Sequence, residues 1–244
     1  MLLPLVAMML IPLLVACGGD DDDAASDDNG QNASTVPPGE TSPTRAATNT
    51  NDAAAAIEAI EFPLELADGM ALGEPEAPAT LQLFEDFQCP FCLRMTVLWE
   101  GLLMEYVEDG RLRLEFRNFP ILGDESVYAA AAAVCAAEQD GFWEYHRKLF
   151  LVQAEAGQLT NEQLNVGRFD PDALVDYAGV VSLDEAAFAT CLQDPASLAA
   201  VQEDFTTARN AGLTATPSLL LDGQPLQVPT SEQAWRQVLD EATK

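Results

Sequence analysis

Basic residues and histidine are scarce in this chain. Its 244 residues include 11 Lys or Arg against 40 Asp or Glu, a formal net charge of −29, and one His. A surface of that sign repels phosphate backbones, which argues against nucleic acid as a partner. Acidity by itself says only that the molecule is soluble and self-repelling. The single imidazole, His146, excludes a zinc enzyme built on several histidine ligands. A Ser–His–Asp triad would need partners that nothing in the sequence identifies. Set among Phe142, Trp143, Tyr145 and Leu149, His146 reads as a helical residue, packed or on the surface. No internal repeat is present. The apolar share of 48% is that of a globular protein with a core, and the length suits one domain with a leader and a tail.

Met1 to Ala16 is almost wholly apolar. It is the right length for a signal-peptide core and short for a membrane span, and Pro4 and Pro12 disfavour a stable helix. No Lys or Arg precedes the run, but it ends Leu14-Val15-Ala16-Cys17-Gly18, which resembles a bacterial lipobox. On that resemblance residues 1–16 are a lipoprotein signal peptide, and Cys17 is lipidated as the mature N-terminus. The protein is then expected outside the cytoplasm, anchored to the cell membrane by its acyl chains, each buried CH₂ contributing roughly 0.8 kcal/mol. An ordinary secretory signal or an uncleaved anchor is the other reading. Residues 17–54 read as a disordered acidic and polar tether. The run Asp20-Asp21-Asp22-Asp23 is followed by Asn, Ser, Thr, Pro and Gly without periodicity. The Asp run reads as solvated rather than as a set of calcium ligands.

Residues 55–244 read as the folded domain. Ala79 to Phe84 is a strand signal, Pro90 to about Val107 a helix ended by Gly110, and Arg111 to Arg117 an alternating strand. Strand, helix, strand is a βαβ unit. From about 124 to 212 the signals are helical. They include an Ala-rich run at 129–137, possible capping boxes beginning at Thr160 and Ser182, and helix starts at Asp170-Pro171 and Asp194-Pro195. Ser218 to Leu221, the turn Asp222-Gly223, and Gln224 to Val228 form a hairpin signal, and Thr230-Ser231-Glu232-Gln233 caps a last helix to about Ala242. The predicted class is α/β: a thioredoxin-like layout with a helical insertion between the βαβ half and the hairpin–helix half.

Cys89-Pro90-Phe91-Cys92 carries the chemistry. A C-x-x-C at a helix start puts the first thiol near unpaired N–H groups and the positive dipole end, which favours thiolate. Pro90 suits the first helical position, where its missing N–H would be unpaired anyway. Cys89 can attack a disulfide and Cys92 can resolve the mixed disulfide. Half a zinc site would need further ligands, and the sequence has no second C-x-x-C and no His pair. A purely structural disulfide is the other alternative, although so short a loop restricts the unfolded chain little.

Several segments in the right order, from about Gly73 to Ala242, resemble the DsbA-like thioredoxin family: Gly73-Glu74-Pro75-Glu76-Ala77-Pro78, Phe84-Glu85-Asp86-Phe87-Gln88-Cys89-Pro90-Phe91-Cys92, Arg117-Asn118-Phe119-Pro120, Gly141-Phe142-Trp143 with Leu149-Phe150, and Thr214-Ala215-Thr216-Pro217-Ser218 before Asp222-Gly223. The resemblance implies that Pro217 is cis and that Thr216 and Pro217 face the cysteines and pair with extended substrate backbone. A trans proline opening a strand is the plain alternative. Phe91 stands where DsbA itself has a His that supports the thiolate; a phenyl ring neither hydrogen-bonds nor carries charge. Where the family often has an acid six positions before the first Cys, this chain has Leu83. Glu85 and Asp86 read either as partly exposed strand-end carboxylates or as proton-transfer groups for the cysteines. Cys135 and Cys191, 56 positions apart, are expected to pair, as in some members of the family; two free buried thiols are the alternative. The resemblance thus implies an enzyme, needing neither metal nor cofactor, that exchanges disulfides with exported proteins. It would act first as a dithiol oxidase and alternatively as a reductase or isomerase, with a separate redox partner protein and as a monomer. A lipid-anchored binding module on the same scaffold is the reading from a different class.

Overall fold

The computed structural model describes residues 50–244. The signal segment 1–16, Cys17 and the tether as far as residue 49 lie outside the described residues.

The frame is a six-stranded sheet in the order β1-β2-β4-β3-β5-β6. The strands are β1 Ala67–Asp68, β2 Ala71–Leu72, β3 Ala79–Glu85, β4 Leu112–Asn118, β5 Ser218–Leu221 and β6 Gln224–Leu226. The central pair β3 and β4 runs parallel, with Leu81 opposite Leu114 and Leu83 opposite Phe116. β5 lies antiparallel on the other side of β3, with Leu219 opposite Leu83. Period-two alternation explains β4, where Leu112, Leu114, Phe116 and Asn118 are buried and the residues between them are not.

A parallel pair needs a crossover, and helices supply it. α2 Pro90–Met95 leads through a π-helical turn, Thr96–Glu100, into α3 Gly101–Glu108. The single helix expected over this stretch is therefore one with a π-turn in its middle. After β4 come α4 Asp124–Ala137, α5 Phe142–Glu155, α6 Pro171–Val180, α7 Glu185–Gln193 and α8 Pro195–Asn210, the expected helical block, and α9 Glu232–Ala242 follows the hairpin. The fold is the expected thioredoxin-like one. Cys135 in α4 and Cys191 in α7 form a disulfide with Cα atoms 5.7 Å apart.

Three local expectations are corrected. The tether does not reach residue 54, because α1 spans Thr50–Glu58 and buries Ala53 and Ile57 against α5. No helix starts at Thr160, whose hydroxyl donates to the Gly157 carbonyl in a turn. The cap of α7 is Asp184 rather than Ser182; its carboxylate accepts from the amides of Ala186 and Ala187.

The candidate active site

β3 aims the chain at the site and α2 begins there. Cys89 is the N-cap of α2 and Pro90 its first residue. The Cys89 carbonyl accepts from Leu93 N at 3.1 Å, while its thiol stands at the positive end of the helix. Cys92 lies one turn in. Cys89 is 4% exposed and Cys92 wholly buried, and both are free thiols. Their acidities are split. A hydrogen bond from Cys92, helped by Thr216 and the amides of Phe91 and Cys92, outweighs burial and brings Cys89 from 9.0 down to about 7. Burial, reinforced by the hydrogen bond to Cys89 and by the charge of Glu85, pushes Cys92 well above its usual value. One sulfur is readied as thiolate and the other is held as thiol.

The segment before β5 closes the site from the far side. The Thr216–Pro217 peptide is cis. The Cys89 thiol donates to the Thr216 carbonyl at 3.4 Å. Next to it opens an apolar groove of about 350 Å³, whose walls include Phe91, Leu98, Trp99, Pro217, Val228 and Pro229. Phe91 is 62% exposed at its mouth, with the Arg94 guanidinium 5.8 Å from its ring centre. An exposed aromatic at the rim of an apolar groove is a surface suited to a peptide side chain.

Glu85 and Asp86 are not partly exposed carboxylates; each is 2% exposed. They differ in what holds them. Asp86 accepts from the amides of Gln88 at 2.9 Å, Ile121 at 2.8 Å and Leu122 at 3.0 Å, tying the cysteine loop to the β4–α4 connection. Behind it, Gln153 and Gln158 donate to the carbonyls of Phe87 and Gln88 at 2.8 Å and 2.9 Å. The helical block therefore grips the two residues just before Cys89. Glu85 has no such support among the described residues, where its Oε1 is unpartnered. Burial, then the charges of Glu100 and Cys89, raise its pKa well above the carboxylate range. Glu100 was not among the predicted site residues, yet it lies 3.7 Å from His146, itself buried among aromatic rings. Glu85, Glu100 and His146 each fall in phase with apolar neighbours, and that phase is the signal by which their burial could have been found. Among the described residues no group of three or more His, Cys, Asp and Glu side chains is arranged to hold a metal ion.

The family model described as thioredoxin matches residues 65–241. The chain belongs to the thioredoxin family. Among relatives, the probable disulfide bond formation protein D of Bacillus anthracis is 38% identical over 87 residues, 34% of this chain and 40% of that protein. A Na(+)/H(+) antiporter NhaA 3 of Salinispora tropica is 30% identical over 165 residues, 66% of this chain but 23% of the antiporter. This chain thus spans less than half the length of either. Among solved structures, oxidised BdbD from Bacillus subtilis superposes with a TM-score of 0.62 at 21% identity, covering 72% of this chain and 93% of that one. That likeness establishes the fold, thioredoxin with its helical block. Among the described residues of this thioredoxin-family chain, no helix is long and apolar enough to cross a membrane.

Proposed function

We propose that this protein is a thiol–disulfide oxidoreductase that exchanges disulfides with exported proteins through Cys89 and Cys92, working outside the cytoplasm as a dithiol oxidase. The observation that carries this reading is the split pair itself. Cys89 is held at about 7 at a helix start, 3.4 Å from the Thr216 carbonyl, and a high-pKa Cys92 lies beneath it. In the oxidase cycle a substrate thiolate attacks Cys89 Sγ of the protein's disulfide. The Cys89–Cys92 bond breaks, a mixed disulfide forms, and Cys92 leaves as a thiolate that takes a proton. A second substrate thiolate then attacks the mixed disulfide and Cys89 leaves as thiolate, a good leaving group because its pKa is lowered. The substrate has lost two electrons and the protein has gained them. A partner protein bearing a disulfide restores the starting form.

Thr216 and Pro217 receive the extended substrate backbone, and the groove beside Phe91 takes an apolar side chain next to the reacting cysteine. The name of the Bacillus anthracis relative speaks for disulfide formation. The Cys135–Cys191 bridge suits an oxidising compartment. Lipidation at Cys17 would hold the domain at the membrane outside the cytoplasm, as a monomer.

A second reading, reductase, has one observation in its favour. A Cys89 pKa of about 7 is thioredoxin's value rather than the about 3.5 of DsbA, as expected with Phe91 in place of a His. An equilibrium titration of the Cys89–Cys92 couple against glutathione decides. A potential near that of protein disulfide isomerase, about −180 mV, or higher supports the oxidase; a potential near thioredoxin's, about −270 mV, makes the protein a reductase.

A further inference from the structure

Three buried ionisable side chains meet behind the cysteine pair, and general dithiol chemistry calls for one at most. His146 Nε2 stands 3.7 Å from Glu100 Oε1 and 4.0 Å from Glu85 Oε2. All three residues are buried, Glu100 the least completely at 3% exposed. Among the described residues neither imidazole nitrogen has a hydrogen-bond partner, and neither do Glu85 Oε1 and Glu100 Oε2. An unpaired buried polar group costs about 1–3 kcal/mol, so packing alone would favour apolar side chains at these positions. The neighbours sharpen the point. The imidazole is ringed by Phe62, Phe87, Phe116, Phe142, Trp143 and Phe150, none of which titrates. Among the described residues the charged or titratable groups that face the cluster are few. Cys89 and Cys92, from the cap and first turn of α2, interact with Glu85, and Arg147 of α5 interacts with Glu100 and His146. Glu100 arrives on the π-turn, a helix irregularity found often at functional sites.

We propose that Glu100 and His146 are positioning residues that deliver the proton needed at Cys92: Glu100 passes it through His146 Nε2 to Glu85, and Glu85 passes it to the departing Cys92 sulfur. The inference rests on the disulfide-exchange reading above. When substrate thiolate breaks the Cys89–Cys92 bond, Cys92 leaves as a thiolate and accepts the proton of the Glu85 carboxyl. The Glu85 carboxylate is reprotonated from His146 Nε2, which has taken the proton of Glu100. Glu100 regains one from solvent. His146 carries its other proton on Nδ1 throughout and is an imidazolium only in passage. In the resting state burial holds Glu85 and Glu100 protonated, Glu100 to about 8, and keeps His146 neutral, down to about 3. The cluster therefore starts loaded and uncharged.

The test is single-turnover reduction of the protein's disulfide by a dithiol peptide, with rates compared between wild type and variants at each pH. Glu100→Gln should slow the step below about pH 8 and abolish the wild-type fall in relative rate as Glu100 loses its proton near about 8. Glu85→Gln should approach the roughly 10²-fold loss of a removed general acid, and His146→Gln should lie between. Glu100→Asp should restore part of the pH step, which a purely structural role would not produce. A Glu100→Gln profile that superimposes on the wild type overturns the relay while leaving disulfide exchange intact. A wild-type protein that exchanges no disulfide with the peptide overturns the functional reading and the relay with it. Should the variants fail to fold, unmodified protein still answers. Infrared spectra of its disulfide form should show both buried carboxyls protonated at neutral pH, with one band fading near about 8; carboxylate bands in their place overturn the relay.

Discussion

The Cys89 thiol donates to the backbone carbonyl of Thr216 at 3.4 Å, joining positions 127 residues apart in the chain. This contact brings the start of α2 to the loop before β5, so both ends of the fold must be in place before the surroundings of Cys89 are set. Alkylation of the reduced protein reads the outcome directly. The rate should rise with pH through a midpoint near 7, with one equivalent of iodoacetamide incorporated, at Cys89. Cys92, buried and pushed up, should react only after unfolding. Equal labelling of both thiols in the folded protein would contradict the split.

Asp86 is the anchor of the same loop. Its carboxylate serves three amides, those of buried Gln88, half-buried Leu122 and exposed Ile121. Asp86→Ala leaves all three without their acceptor and should lower stability by about 2 kcal/mol or more, since each of the two enclosed donors costs about 1–3 kcal/mol when orphaned while water can reach that of Ile121. Asp86→Asn keeps one acceptor oxygen and should lose less. Urea midpoints at constant slope measure both. A loss for Asp86→Ala below about 1 kcal/mol would show that the three bonds do not hold the loop.

Much of this was legible in the sequence, and the rest fails for identifiable reasons. The sheet core was readable because Leu112, Leu114 and Phe116 alternate, and Cys89-Pro90-Phe91-Cys92 announced its helix. β1 and β2 have two residues each, too few to show a period, and α1 merges into an Ala-rich end of the polar tether. Glu85 shares strand parity with Leu81 and Leu83. Glu100 shares helical phase with Leu93, Met104 and Val107, and His146 with Phe142, Leu149 and Phe150. Periodicity thus marks all three as buried. That three faces from β3, the π-turn and α5 converge on one point is a tertiary fact that no local pattern carries.

The Cys135–Cys191 bridge joins α4 to α7 inside the helical block. A sequence separation of 56 gives a chain-entropy contribution of about 4 kcal/mol as an upper guide. The double variant Cys135→Ala/Cys191→Ala should lose about 2–4 kcal/mol in denaturant unfolding. Its peptide exchange rate should stay near wild type, because Gln153 and Gln158, which grip the cysteine loop, lie in α5 and the turn after it. A collapse of exchange in protein that is still folded would place the bridge in the active-site machinery.

The buried cluster also writes itself into stability, with opposite signs for its members. Glu100 is raised from 4.5 to about 8 by burial, against the opposing charge of Arg147. The folded state therefore binds the proton more tightly than the unfolded chain, and this contribution is full below 4.5 and lost as pH rises through about 8. Glu85 acts in the same direction. His146 is lowered from 6.5 to about 3, first by burial and then by Arg147. Its contribution is full above 6.5 and lost as pH falls toward about 3, because the unfolded chain takes up the proton first. Two carboxyls lose their contribution above 4.5 while one imidazole gains up to 6.5, so the cluster favours folding most near pH 4.5. Each group can change stability by at most about 1.4 kcal/mol per pH unit. Glu100→Gln keeps the shape of the side chain and removes its ionisation. Calorimetry should find the variant close to wild type at pH 4.5 and more stable than wild type at about pH 8. A variant whose melting temperature runs parallel to the wild type across that interval would mean that Glu100 does not change protonation on unfolding, and the cluster would then not be the loaded, neutral store that the proton relay requires.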